Sequence, residues 1–264
     1  MALLLVAIGK SLPAHADSEF LCQVMASDRV EIGSQVPGVI EQVMVERGDK
    51  VEAGQVVAQL RADLERVAVD LASAKASNDT AVRARQAKVA FAKRKLDRNV
   101  ELAANHVVSA NDLDSMRTDY DIAQREVEAA VAAHNEAQIE LRKVKVDLEM
   151  RTIRSPFPGI ITERKLTAGA LVRDQPIVVI QRIDPLFVEV SLPVSLMNAV
   201  KPGTKARIDF DTPGVASVEA EVTLSDIVID APSDTFGARI VLPNPSGAIP
   251  AGSKCRAEFL AAQR

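Results

Sequence analysis

Apolar and polar positions follow three different rhythms along this chain, and each change of rhythm marks a new element. From residue 36 to residue 60, short β-branched runs (Val39-Ile40, Val43-Met44-Val45, Val56-Val57) are separated by turns containing Gly38, Gly48 and Gly54. Such punctuation predicts a set of short strands. Residues 155–181 repeat it. A constant offset of 121 residues lays Pro37 on Pro158, Gly38 on Gly159, Val39-Ile40 on Ile160-Ile161, Val45 on Leu166, Gly48 on Gly169, Val51 on Val172 and Val56-Val57 on Ile177-Val178. Each half is too small to enclose a core, so the two are expected to pack face to face as one sandwich. Glycines 38, 48, 54, 159 and 169 are expected to supply turn positions with positive φ.

Between the halves, residues 61–151 hold neither proline nor glycine and are rich in Ala, Leu, Glu, Lys and Arg. These are good helix formers. In the second part of this segment, Leu113, Tyr120, Val127, His134, Leu141 and Leu148 stand seven apart. Met116, Ala123, Ala130, Ala137 and Val144 make a second row, which predicts a coiled-coil seam. The first part shows Leu64, Val67, Leu71 and Ala74, then Val82, Val89, Leu96 and Ala103, with a phase change expected near Ala76–Thr80. A break at residues 105–109 predicts two helices of about 40 residues, roughly 60 Å each, folded back as a hairpin. Residue i then faces about residue 214 − i. Basic residues from Arg83 to Arg98 fall opposite acidic residues from Asp112 to Glu128, and the segment holds sixteen basic and sixteen acidic residues. The basic cluster is therefore assigned to the facing helix rather than to nucleic acid.

From Asp184 onward the rhythm has period two. Residues 186–192, 206–210, 218–224, 238–242 and 254–260 alternate as strands between proline- and glycine-containing turns, which predicts a small antiparallel barrel. Val194–Val200 is expected as a short helix, and Phe20–Met25 as a further strand of the barrel. At the amino terminus, the apolar run at residues 2–9 and Ala14-His15-Ala16 predict a secretory signal at residues 1–16, the alternative being an ordinary buried segment. No run reaches the roughly 20 apolar residues of a membrane span, so a soluble mature chain is expected.

Composition narrows the chemistry. Aromatic residues are 3% of the chain and the net charge is −4, which disfavours stacking on single-stranded nucleic acid and general polyanion binding. Two cysteines and three histidines leave little for a metal site or a histidine-based triad. Neither a catalytic group, a metal site nor a cofactor is expected. Lys50 reads as a surface turn lysine. His134 reads as a polar residue fixing seam register, and His106 as a terminator of the first helix.

The order of half-repeat, helical hairpin, second half-repeat and barrel resembles the HlyD-like membrane fusion proteins, the periplasmic adaptors of tripartite efflux and secretion systems. Ile153-Arg154-Ser155-Pro156-Phe157-Pro158-Gly159-Ile160-Ile161 resembles that family's signature, departing from it at Pro158, where Asp is commoner. The resemblance implies an elongated α+β fold. Its parts are a signal at 1–16, an amino-terminal segment 17–30 adding a barrel strand, a lipoyl-like sandwich from 31–60 and 152–183, the hairpin 61–151 and a β-barrel 184–264. It implies a non-catalytic adaptor in the periplasm, linking an inner-membrane pump of resistance-nodulation or ABC type to an outer-membrane TolC-like channel. The adaptor would be a homo-oligomer, a hexameric ring. A fourth, membrane-proximal domain is expected to be absent or vestigial. Adaptors that dock on TolC-like channels carry Arg-x3-Leu-x6-Ser across the hairpin tip; Arg98, Leu102 and Ser109 stand at that spacing. The alternatives are a seam role for Leu102, an ion pair for Arg98 and a helix cap for Ser109. An oxidising compartment also opens a disulfide between Cys22 and Cys255, the alternative being two separate buried thiols. Competing functions are a lipoyl- or biotinyl-type carrier, disfavoured by the lack of its modifiable lysine tripeptide, and a coiled-coil tether with no transport role.

Overall fold

A computed structural model describes residues 19–104 and 107–259. The expected signal segment with His15, and His106 of the expected tip, lie outside the described residues. In chain order the strands and helices are β1 (Glu19–Ile32), β2 (Gly38–Val43), β3 (Lys50–Val51), β4 (Val56–Leu60), α1 (Asp63–Ser77), α2 (Thr80–Ala104), α3 (Ala110–Glu149), β5 (Thr152–Arg154), β6 (Gly159–Arg164), β7 (Leu171–Val172), β8 (Val178–Pro193), β9 (Lys205–Phe210), β10 (Val218–Asp230), β11 (Thr235–Leu242) and β12 (Lys254–Phe259).

The repeat offset carries β2 onto β6 and β3 onto β7. The two halves complete each other by exchanging strand partners. Gly38 of β2 pairs with Val172 of β7, and Gly159 of β6 pairs with Val51 of β3. The flanking bonds obey the same symmetry: Gly48 N donates to Ile161 O and Gly169 N to Ile40 O, both at 2.8 Å. Ile32, Ile40, Val57, Leu60, Ile161, Val172 and Ile180 are buried between the halves as one core. Gly48, Gly54 and Gly169 have positive φ, as expected of turn glycines. Gly38 and Gly159 do not; they are strand residues, needed for close approach rather than for a turn. A Cβ on Gly159 would lie 2.5 Å from the Gln181 carbonyl oxygen.

A second core belongs to six strands that hydrogen-bond in a closed cycle, β1–β12–β9–β10–β11–β8 and back to β1. Val24, Leu186, Val188, Ile208, Phe236 and Ile240 fill its interior. Strands β1 and β8 pair from Cys22↔Val190 to Ile32↔Val178 and so run through both cores. Two details differ from the sequence expectation. Strands β10 and β11 continue to Asp230 and back from Thr235, beyond the alternating pattern, because an irregularity between Ser225 and Ile229 absorbs the interruption. The expected helix at 194–200 is only a 3-10 turn at Val194–Leu196.

Along α3 both seven-residue rows are shielded, while the residues between them are mostly exposed. The facing arm is broken, with α1 ending at Ser77 and α2 starting at Thr80, where the phase change was expected. In α2, Val82, Val89, Leu96 and Ala103 face inward. In α1 the expected row is wrong: Leu64 is 83% exposed, Val67 and Leu71 are exposed, and Ala72 and Ala76 are buried instead. Small side chains let the two backbones approach closely here. At that contact Gln138 Nε2 donates to the Ala76 carbonyl at 2.7 Å, satisfying a helix-end acceptor. The expected facing rule fits Lys88–Glu126 at 2.8 Å and Lys95–Asp119 at 3.9 Å, while Arg83 pairs within its own arm with Asp79.

Cys22 and Cys255 are cross-strand partners on β1 and β12, joined by a disulfide with Cα atoms 4.9 Å apart. Protein produced in an oxidising compartment and unfolded without reductant should titrate no free thiol; two thiols per chain would mean that the bridge does not form there. Replacing both cysteines by alanine should cost about 2–5 kcal/mol in denaturant unfolding. For the sandwich, Gly159→Ala should cost about 1–3 kcal/mol, because its new methyl meets fixed backbone. Gly38→Ala should cost less in the same assay, since its nearest neighbours are the ends of the Arg151 and Leu60 side chains.

Candidate functional site: the end of the helical hairpin

The hairpin starts from a fixed root. Strand β4 leads into α1 and α3 leads into β5, and β4 pairs antiparallel with β5. Arg151 clamps this root, donating to Glu65 Oε1 at 2.6 Å and to the Pro37 carbonyl at 2.9 Å. From there α3 alone runs 40 residues, about 60 Å at 1.5 Å per residue. The far end is thus held at a set distance from the sandwich. Partway along, Glu126 accepts from Lys88 and Arg85. The Lys88 hydrogen bond, aided by the charges of Lys88 and Arg85, holds the Glu126 carboxyl below its ordinary value. All these groups are largely in water, so the pairs contribute more to register than to stability.

At the far end, Arg98 is exposed in the last turns of α2 and makes no ion pair among the described residues. Leu102, one turn further on, is 39% exposed. Ser109 is the N-cap of α3: its Oγ accepts from Asp112 N at 3.1 Å and lies 2.7 Å from Asp112 Oδ2, to which it donates. Cap and exposed position coexist, so the capping role leaves the Ser109 surface open to a partner. Two further residues of this end escaped the sequence reading. Val107 is 69% exposed and Val100 is exposed on α2. Both sit off the seven-residue seam, which was the signal that could have found them. Lys93 and Arg94 also make no ion pair among the described residues, beside exposed Val100.

Other candidate residues take structural places. Lys50 is exposed at the start of β3, opposite Ile160. His134 lies half-buried in the seam, with no hydrogen-bond partner on Nδ1 among the described residues. No group of three or more potential metal-ligating side chains occurs among the described residues. A groove between the sandwich and the closed sheet is lined by Lys50, Asp184 and Asn244. Its buried amide is already committed: Asn244 Nδ2 donates to the Ile183 and Ile249 carbonyls, and Oδ1 accepts from Ile249 N. No described helix is long and apolar enough to cross a membrane.

Known proteins place this architecture. The chain is 28% identical over 246 residues to the multidrug resistance protein MdtE of Escherichia coli strain K12, covering 87% of this chain and 60% of that protein. It is 26% identical over 268 residues to the multidrug efflux pump subunit AcrA of the same strain, covering 95% of this chain and 64% of AcrA. The chain therefore spans less than two thirds of the length of these relatives. The crystal structure of MacA from Actinobacillus actinomycetemcomitans has the same fold, with a TM-score of 0.79 at 18% identity, over 93% of this chain and 79% of that one. The CzcB-like barrel-sandwich hybrid domain matches residues 28–180, more than half of the chain. The chain belongs to that family, and so to the HlyD-like membrane fusion proteins.

Proposed function

We propose that this protein is a periplasmic adaptor that joins an inner-membrane pump to a TolC-like outer-membrane channel and does no chemistry of its own. The observation that carries this reading is the end of the hairpin. Arg98, Leu102 and Val107 are exposed there, about 60 Å of helix away from the sandwich, and nothing in the described chain covers them. A planar guanidinium donates to carbonyls or carboxylates of a partner, the apolar side chains supply contact area, and the small Ser109 permits close helix approach. The closed six-strand cycle is the barrel of the adaptor, and the heptad rows of α3 are its coiled-coil seam. The pump supplies energy and chooses the substrate, while this chain fixes distance and seals the conduit as a ring of copies, six in number.

A carrier role is the second reading. It finds no support in Lys50, which lies within the first half-repeat rather than at a turn joining the halves. Intact mass tests it: a lipoyl or biotinyl adduct on the purified chain would favour the carrier.

Two outcomes are expected. Arg98→Asp should abolish export while leaving the melting temperature and pump association unchanged, and Leu102→Ser should do the same with a drop of no more than a few degrees. If Leu102→Ser unfolds the hairpin and Arg98→Asp exports normally, docking lies elsewhere. Chemical cross-linking with pump and channel present should give a ladder reaching six copies; monomer and dimer alone would count against the ring.

A further inference from the structure

The groove between the sandwich and the closed sheet combines an apolar floor with charged groups that form no ion pair. The floor follows from strand register. Lys50 pairs with Ile160 and Val51 with Gly159 across β3 and β6, and Ile160 pairs with Gln181 across β6 and β8. Two residues further along these antiparallel ladders, Glu52, Pro158 and Ile183 fall in one row, on the same face as Lys50 and Ile160. Pro158, Ile160 and Ile183 thus make an apolar strip, and all three line the groove. Pro158 is where the chain departs from the family signature, so the strip is apolar where Asp would make it charged. The facing wall comes from the closed sheet. Asn244 and Pro245 stand there, held in place as Asn244 N donates to Asp184 Oδ1 at 2.7 Å. The space between is about 440 Å³. That is the size of a small-molecule site, and such sites favour the junction of two folded units.

Charge selects the occupant. Glu52 and Asp184 both line the groove, and neither makes an ion pair among the described residues. Of the described residues lining the groove, only Lys50 is basic. It stands in the row of Ile160 and Gln181, one row further from Asp184 than Glu52 is. Two neighbouring arginines are committed elsewhere. Arg182 pairs with Asp28 at 3.1 Å and lies over the Phe157 ring, and Arg29 pairs with Glu163 at 3.2 Å. The end of the groove towards the closed sheet therefore sets two carboxylates beside an apolar strip. An inorganic cation is the poorer occupant. No group of three or more potential metal-ligating side chains occurs among the described residues, and an apolar strip adds nothing to the binding of a bare ion.

We infer that this groove binds an organic cation, with its apolar body on Pro158, Ile160 and Ile183 and its charge between Glu52 and Asp184. Both carboxylates are exposed. They therefore select the sign of the ligand, while burial of its apolar body supplies most of the affinity. A bound molecule touches the sandwich and the closed sheet of one chain. The site needs neither a ring of copies nor a docked channel, so it stands or falls separately from the adaptor reading.

The test is calorimetric titration of the purified full chain with tetraphenylphosphonium and, separately, with tetraphenylborate, which has the same apolar body and the opposite charge. Tetraphenylphosphonium should bind once per chain and at least tenfold more tightly than tetraphenylborate. Glu52→Gln and Asp184→Asn should each weaken it about threefold, and together about tenfold. Asn at 184 keeps the acceptor for the Asn244 N–H, and an unchanged melting temperature checks the fold. If Asp184→Asn lowers that temperature, Glu52→Gln and Lys50→Met decide, since both side chains are exposed on β3 or just beyond it. Lys50→Met should tighten the cation and weaken the anion. Equal or stronger binding of tetraphenylborate overturns the assignment. So does cation binding that survives the double variant, or no saturable binding below about 1 mM. Ile227, 92% exposed on the closed sheet, is the control for adhesion elsewhere. Loss of cation binding in Ile227→Glu also overturns the assignment.

Discussion

Neither half of the 121-residue repeat can satisfy its own strand edges, and the rest of the molecule depends on how that is solved. Strand β2 finds its second partner in β7 and β6 finds β3, so the sandwich exists only when residues on both sides of the helical insertion meet. Closure entropy grows only logarithmically with the length of the intervening chain. A structured insertion adds less still, because α1 and α3 start and finish beside the paired strands β4 and β5. The root that makes the sandwich possible therefore also aims the hairpin.

Within the hairpin, stability and shape come from different residues. The seam rows of α3 bury moderate area, and the ion pairs across to α2 are exposed. Neither would hold two isolated helices firmly. Towards the root, Ala72 and Ala76 replace large side chains and bring the backbones together, while Arg151 binds Glu65 and the Pro37 carbonyl just before β2. This arrangement turns Leu64, Val67 and Leu71 outward.

Strands β1 and β8 are the second organising device. Each contributes to both cores, and they pair with each other along most of their length. The closed sheet is thus attached to the sandwich by continuous hydrogen-bonded strands rather than by a loose linker. Cys22 and Cys255 lie towards the outer end of this connection, where β1 meets the last strand. The chain exposes apolar side chains in two places, Leu102 and Val107 at the far end of the hairpin and Ile227 and Val228 on the closed sheet.

Much of this was legible in the sequence because it is periodic. The offset of 121 lays β2 on β6 and β3 on β7, the absence of glycine and proline bounded the insertion, and the seven-residue rows of α3 named its inner face. Arg98, Leu102 and Ser109 were singled out because their spacing resembles the HlyD-like family's tip motif, and they lie at the far end of the hairpin. What the sequence could not decide were properties of close contact. Gly38 and Gly159 looked like turn glycines but are strand residues: Gly159 is needed where β6 nearly touches the Gln181 backbone, and Gly38 lies against the ends of the Arg151 and Leu60 side chains. Leu64, Val67 and Leu71 looked like a seam, yet the tighter alanine face won, because helices pack by how near their backbones can come as well as by apolar area. The irregularity between Ser225 and Ile229 has no periodic signature, since an irregular strand exposes its side chains only once its partner strand is in place. Periodicity is written along one chain, whereas fit is settled between segments, and only the tertiary structure brings those together.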